Sequence, residues 1–194
     1  MPRTPRIVIP GVALHVVQRG NNRSPCFFNE ADYQYFLRQL RDQAEKCGCA
    51  IHAYCLMTNH IHLLMTPKDK EGVANLMKGL GQCYVQYINR TYEHIGTLWQ
   101  GRYRSRIMQD EGHVMVCYHY IELNPVRAGM VRHPSEYRWS SYRSNAQGEP
   151  STLLVAHPLF VLISKRIEER RAGYSELFNN KLDELVLDEI RKTH

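Results

Sequence analysis

The chain has 194 residues, 43% of them hydrophobic, which suffices for one core with an appendage and excludes a large multidomain assembly. It has no run of about 18 apolar residues, and the apolar stretch 7–17 behind the basic N-terminus is broken by Pro10, Gly11 and His15, so neither a membrane span nor a secretory leader is expected and the location is read as cytoplasmic. The net charge is +6, with all the excess in residues 1–150 and none in 151–194, a balance that favours a polyanionic partner without requiring one.

A first strand is predicted over 12–19, ended by the turn-prone run Gly20 to Pro25. Asn29-Glu-Ala-Asp opens a helix to about Lys46, with Tyr33, Phe36, Leu37, Leu40 and Ala44 at helical spacing, and Gly48 stops it. A strand over 49–57, a tight turn at Thr58-Asn59 and a partner strand over 60–66 follow. A second long helix, 73–92, carries Leu76, Leu80, Tyr84 and Tyr87 on one face; its Gly79 and Gly81 either weaken it or admit a close neighbour. A fourth strand is read over 98–108. Asp110-Glu111 then opens a third helix that runs to the Asn124-Pro125 step. The order β-α-β-β-α-β-α predicts an α+β, ferredoxin-like antiparallel sheet with helices on one face. That domain spans residues 1–150. Short helices over 157–164, 167–178 and 182–192 form a small C-terminal extension, residues 151–194. The six cysteines are scattered without zinc-finger spacing and read as reduced, small hydrophobic residues.

Three clusters carry possible chemistry. His60 and His62 flank Ile61 on a strand, so the two imidazoles share one face and could grip one cation while Ile61 anchors the core. Two half-exposed histidines with no metal give the same pattern, and the pair lacks a third ligand. Tyr120 and Asn124 stand four apart on the third helix, on one face. Asn124 could lend an oxygen to a metal and Tyr120 a phenol oxygen to a phosphate there. Free tyrosine titrates near pH 10, and a cation nearby favours the phenolate. Tyr118 lies well round the helix from Asn124; His119 reads as surface and Glu122 as a solvated charge. Asn124 before Pro125 also suits a helix cap. Finally, Arg102, Arg104 and Arg106 alternate, so on a strand all three face one way and suit a row of phosphates. Trp99 and Tyr103 nearby could stack on bases, and Arg19, Asn21, Asn22 and Arg23 form a polar loop of similar character. A solvated sheet face accounts equally well for the alternation.

Five stretches come in register: His15 to Arg23 (HVVQRGNNR), Thr58 to Leu64 (TNHIHLL), Leu98 to Ser105 (LWQGRYRS), Tyr120 to Gly129 (YIELNPVRAG) and Tyr137 to Tyr142 (YRWSSY). Together they resemble the REP-associated tyrosine transposases, a branch of the HUH (His-hydrophobic-His) single-tyrosine transposases, closely over about residues 1–145 and more loosely beyond. The resemblance implies that residues 1–150 form a catalytic domain acting on single-stranded DNA. It implies His60, His62 and Asn124 as ligands of a divalent metal and Tyr120 as the nucleophile that forms a 5′-phosphotyrosine link. The implied substrates are repetitive extragenic palindromes, which fold into hairpins, met as a monomer in the nucleoid, although the wider group includes dimers. Magnesium is the metal such families usually imply, and manganese the alternative; two imidazoles and an amide suit manganese, cobalt or zinc better than magnesium. The Arg19–Arg23 loop, the Arg102–Arg106 ladder, Trp99 and Tyr103 are the candidate DNA contacts. The competing readings are a catalytically idle nucleic-acid-binding module on the same fold and a metal hydrolase unrelated to DNA, for which no acidic ligands stand near the histidines.

Overall fold

The computed structural model describes residues 6–108 and 110–179. In chain order come β1 (Leu14–Arg19), α1 (Glu30–Lys46), β2 (Cys49–Met57), β3 (His60–Pro67), α2 (Gly72–Tyr92), β4 (Arg104–Ile107), α3 (Glu111–Glu122) and α4 (Asn124–Arg127). Three more helices follow, α5 (Tyr142–Gln147), α6 (Pro158–Leu162) and α7 (Ile167–Glu176). The strands form one antiparallel sheet in the order β2-β3-β1-β4, the ferredoxin-like α+β arrangement read from the sequence. The helix predicted over 182–192 lies outside the described residues.

Local signals account for the long helices. Asn29 caps α1: its side chain accepts from the Asp32 N–H, and the Asp32 carboxylate accepts from the Asn29 and Phe28 N–H groups, a reciprocal cap that satisfies otherwise orphaned donors. The same buried carboxylate accepts from the Tyr87 and Tyr92 hydroxyls, which ties the start of α1 to the end of α2. Gly79 does admit a close neighbour, because a Cβ there would stand 2.3 Å from the Gln43 side chain of α1, whereas Gly81 faces open space.

The expectation of helices on one face is corrected. On one face of the sheet Leu14, Val16, Leu56, Ile61 and Leu63 pack against Phe36, Leu40, Leu76 and Tyr84 of α1 and α2. On the other, Ala53, Cys55, Met57 and Leu64 pack against Val114, Cys117, Tyr118 and Ile121 of α3, which lies across β2 and β3. The reason is in the strands: every β2 residue but Ala50 is buried, and a strand apolar on both faces needs cover on both. The β2 edge is covered too, since Leu56 N–H donates to Trp139 O, Val155 N–H to Ile51 O, and Ile51 bridges Leu154. Ala146, Phe160 and Tyr174 then join the α3 cluster, so one apolar cluster runs across position 150.

The fourth strand is shorter than predicted. Gly101 adopts φ +65° and its N–H turns back to Trp99 O, so regular pairing with β1 starts only at Arg104. Trp99 bridges Gly20 in isolation.

Candidate active site and nucleic-acid interface

Strand register builds the site. Across the sheet Cys55 pairs with His62, His62 with Val17 and Val17 with Arg104; in the flanking rows Met57 pairs with His60 and His60 with Arg19, and Leu64 with His15 and His15 with Arg106. Alternation therefore puts His15, His60, His62, Arg19, Arg104 and Arg106 on the face that α3 partly covers. The His60 and His62 rings lie 4.9 Å apart. α3 brings the Tyr120 ring to 5.9 Å from His62 and 5.9 Å from His15, edge-on to both. The predicted histidine pair and the predicted tyrosine thus meet, because a helix is laid over the strand that bears the histidines.

Hydrogen bonds fix the atoms that face this meeting point. His62 Nδ1 lies 2.9 Å from His15 Nε2, and the two rings stack at 5.2 Å. His60 Nδ1 lies 2.6 Å from Asn59 Oδ1, so it is the donor there. Asn124 departs from the capping role read for it. Its Nδ2 donates backwards to Tyr120 O at 3.0 Å and Ile121 O at 3.3 Å, because the last carbonyls of α3 have no partner within the helix. Tyr120 is 2% exposed, and the exposed Arg127 holds its guanidinium 4.6 Å over the ring. His15 and Arg127 are site neighbours that motif spacing did not single out. The alternation of His15 with Val17 and Arg19 could have found the first; nothing in the helical spacing marks the second.

The basic residues divide. Arg19, Arg23, Arg102 and Arg104 line one cavity of about 330 Å³ with Val17 and Gln100. Arg102 precedes β4 rather than lying on it, and Arg106 stands one row further along, opposite His15. Asn21 and Asn22 line a separate groove with residues 94–98. The Arg19–Arg23 loop is tied to the β2–β3 turn by Gly20 N–H to Asn59 O and Asn59 Nδ2 to Arg23 O. A Cβ at Gly20 would stand 2.2 Å from Ser24 O, and Asn22 and Arg23 both take positive φ, uncommon for residues other than glycine. Tyr103 lies on the opposite face from the arginines, the side that strand alternation gives it. It is 9% exposed and belongs to the core on the α1–α2 side, with Arg6 stacked 3.9 Å from its ring. Trp99 packs on the same side, 6.0 Å from Tyr84.

Two further expectations fail for one reason. Glu122 is fully buried, not solvated: it accepts from Ser141 Oγ at 2.5 Å, Asn145 Nδ2 at 2.8 Å and the Tyr174 hydroxyl at 2.7 Å. Burial raises its carboxyl to about 7, against the opposing pull of those hydrogen bonds. His119 is buried against Phe178 at 4.1 Å, and burial lowers it to about 4. Both are covered because residues 141–178, with α5 to α7, fold back over α3, which no property of the helix itself announces. Tyr118, as expected, is turned away from the site, into the Phe160 and Tyr174 cluster.

Known proteins share this sequence pattern and fold. A Haemophilus influenzae protein described as a REP-associated tyrosine transposase is 25% identical over 107 residues, which span 50% of this chain and only 61% of that relative's length. The structure of a REP-associated tyrosine transposase bound to a REP hairpin superposes with a TM-score of 0.61 at 18% identity, over 81% of this chain and 93% of the other, a likeness of fold. Residues 9–124, from the entry to β1 through Tyr120 and Asn124, match the IS200-like transposases, and over that span, more than half its length, the chain belongs to the IS200-like transposase family.

Proposed function

We propose that this chain is a transposase of the REP-associated type, which binds hairpin-forming palindromes and cuts and rejoins single-stranded DNA through Tyr120. The observation that carries the reading is the approach of the Tyr120 ring to 5.9 Å from His62, with Asn124 one turn further along the same face. The arginine-lined cavity on the same side of the sheet suits DNA phosphates, and a solved protein of this fold is bound to a REP hairpin.

The donor set fits a divalent cation. His60 Nδ1 is engaged by Asn59 and His62 Nδ1 by His15, which directs ligation to the two Nε2 atoms. The Asn124 amide nitrogen is committed to the α3 carbonyls, which reserves Oδ1. Among the described residues no three His, Cys, Asp or Glu side chains are placed to hold a metal ion together; His15 is turned to His62 Nδ1, and the third ligand in this reading is the Asn124 oxygen. Bound there, manganese or magnesium would favour the phenolate and stabilise charge on the phosphate.

In the reaction the Tyr120 oxygen attacks the scissile phosphorus. The bond from phosphorus to the 3′ oxygen breaks, that oxygen takes a proton, and the 5′ phosphate stays on the tyrosine as an ester. Attack by a 3′-hydroxyl then restores a phosphodiester and releases the phenol, so the bond is conserved without an external energy source. Arg127, over the ring, supplies positive charge where the phosphate must arrive.

The test is a labelled hairpin oligonucleotide incubated with the protein and Mn²⁺ or Mg²⁺, then run on a denaturing gel. A covalent adduct that disappears in Tyr120→Phe is the expected result. An adduct of undiminished yield in that variant overturns the assignment, and binding without any adduct favours the idle module.

A further inference from the structure

A second cavity, also of about 330 Å³, opens on the other face of the sheet, between α2 and the segment before β4. Its volume is at the lower end of the range for small-ligand sites. Trp99, Tyr103 and Met77 give it apolar walls, and Arg6, Lys78 and Arg102 also line it, with no acidic residue among the described lining. The Trp99 indole N–H is buried and has no acceptor among the described residues. Buried donors are normally satisfied, so an orphaned one on a cavity wall calls for an explanation. Gln18, 7% exposed, lines the same cavity and donates its Nε2 to Gly101 O at 3.1 Å, which fixes the amide with Oε1 as its accepting end. Arg102 lines both this cavity and the arginine cavity described above.

We propose that this cavity holds one unpaired nucleobase of the bound DNA, with its neighbouring phosphates in the arginine cavity and Arg102 at the junction. An aromatic wall, a donor and an acceptor are complements to what a base offers: every base has a π-face and an edge bearing hydrogen-bonding groups. The basic lining matches the charge of the strand that delivers the base. This inference rests on the hairpin-DNA reading above and adds to it a subsite on the opposite face from Tyr120.

The test uses the full chain and a hairpin oligonucleotide selected on this protein from a pool with randomised single-stranded flanks. Each unpaired position of that oligonucleotide is replaced in turn by an abasic site, and affinity is measured. One position is expected to lose about fivefold or more, the contribution of a single stacked base. Because Trp99 packs on the core, Trp99→Leu could fail by misfolding, so the variant is Gly81→Leu. Gly81 lines the cavity and a Cβ there meets nothing within 4 Å, so the new side chain plugs the space while α2 keeps or gains stability. In Gly81→Leu the abasic penalty at that position is expected to vanish, with the Tyr120-dependent adduct still formed. A scan with no sensitive position, or a penalty that survives the plug, overturns the subsite alone. Failure of the protein to retain any hairpin overturns the functional reading and the subsite with it.

Discussion

Replacing Glu122 by glutamine isolates the electrostatic cost of burying a carboxylate in α3, the helix that carries Tyr120. The group ordinarily titrates at 4.5 and is raised to about 7 by burial. Below pH 4.5 it is protonated whether the chain is folded or unfolded. Between 4.5 and 7 the folded chain keeps a proton that the unfolded chain has released, so folding stability falls as pH rises through this window, and above 7 the loss is complete. At 1.36 kcal/mol for each pH unit, the loss is about 3 kcal/mol. Glutamine keeps the shape: Oε1 can still accept from Ser141 and Asn145, while Nε2 donates to the Tyr174 oxygen. Urea unfolding at pH 5 and pH 8, without added metal, measures the difference. Relative to wild type, Glu122→Gln should gain roughly 2 to 3 kcal/mol on going from pH 5 to pH 8, since part of the loss is already present at pH 5. His52 and His119, both lowered to about 4 by burial, slope the other way over the acid range, but they cancel in the comparison. A difference between the two proteins that does not change with pH would refute the reasoning.

Other outcomes follow from the same contacts. His15→Ala removes the partner of His62 Nδ1 and should weaken metal binding by about 10- to 100-fold, measured by calorimetry with Mn²⁺; unchanged affinity would mean that His15 does not orient a ligand. Arg104→Ala should lower the slope of log affinity for hairpin DNA against log salt by about 1, read by titration at several ionic strengths. His52→Phe removes a buried imidazole held by Val155 O at 2.7 Å and Thr66 Oγ1 at 2.8 Å. In wild type its contribution is present above pH 6.5 and lost as pH falls toward 4, so the variant should lose less stability than wild type between pH 7 and pH 4, as acid-unfolding curves would show.

The sequence by itself determined the long elements and which of their side chains share a face. Period-two and period-3.6 patterns locate β2, β3, α1 and α2 to within a residue or so, since burial imposes those periods directly, and alternation places His60 and His62 on one face without reference to the fold. Family resemblance then ties them to Tyr120. What only the tertiary structure decided is which surfaces meet. Helical spacing marks Glu122 and His119 as ordinary polar positions, and their burial comes from residues 141–178, which are distant in sequence. Likewise the alternation of Arg102, Tyr103 and Arg104 predicts a continuous strand with Tyr103 opposite the arginines; the face is right, but Gly101 ends the regular pairing, so Arg102 precedes β4 and Trp99 makes only an isolated bridge to Gly20. The meeting of His60 and His62 with Tyr120 is therefore local in each of its halves, and its assembly depends on long-range packing of α3 across β2 and β3, which no window of the sequence contains.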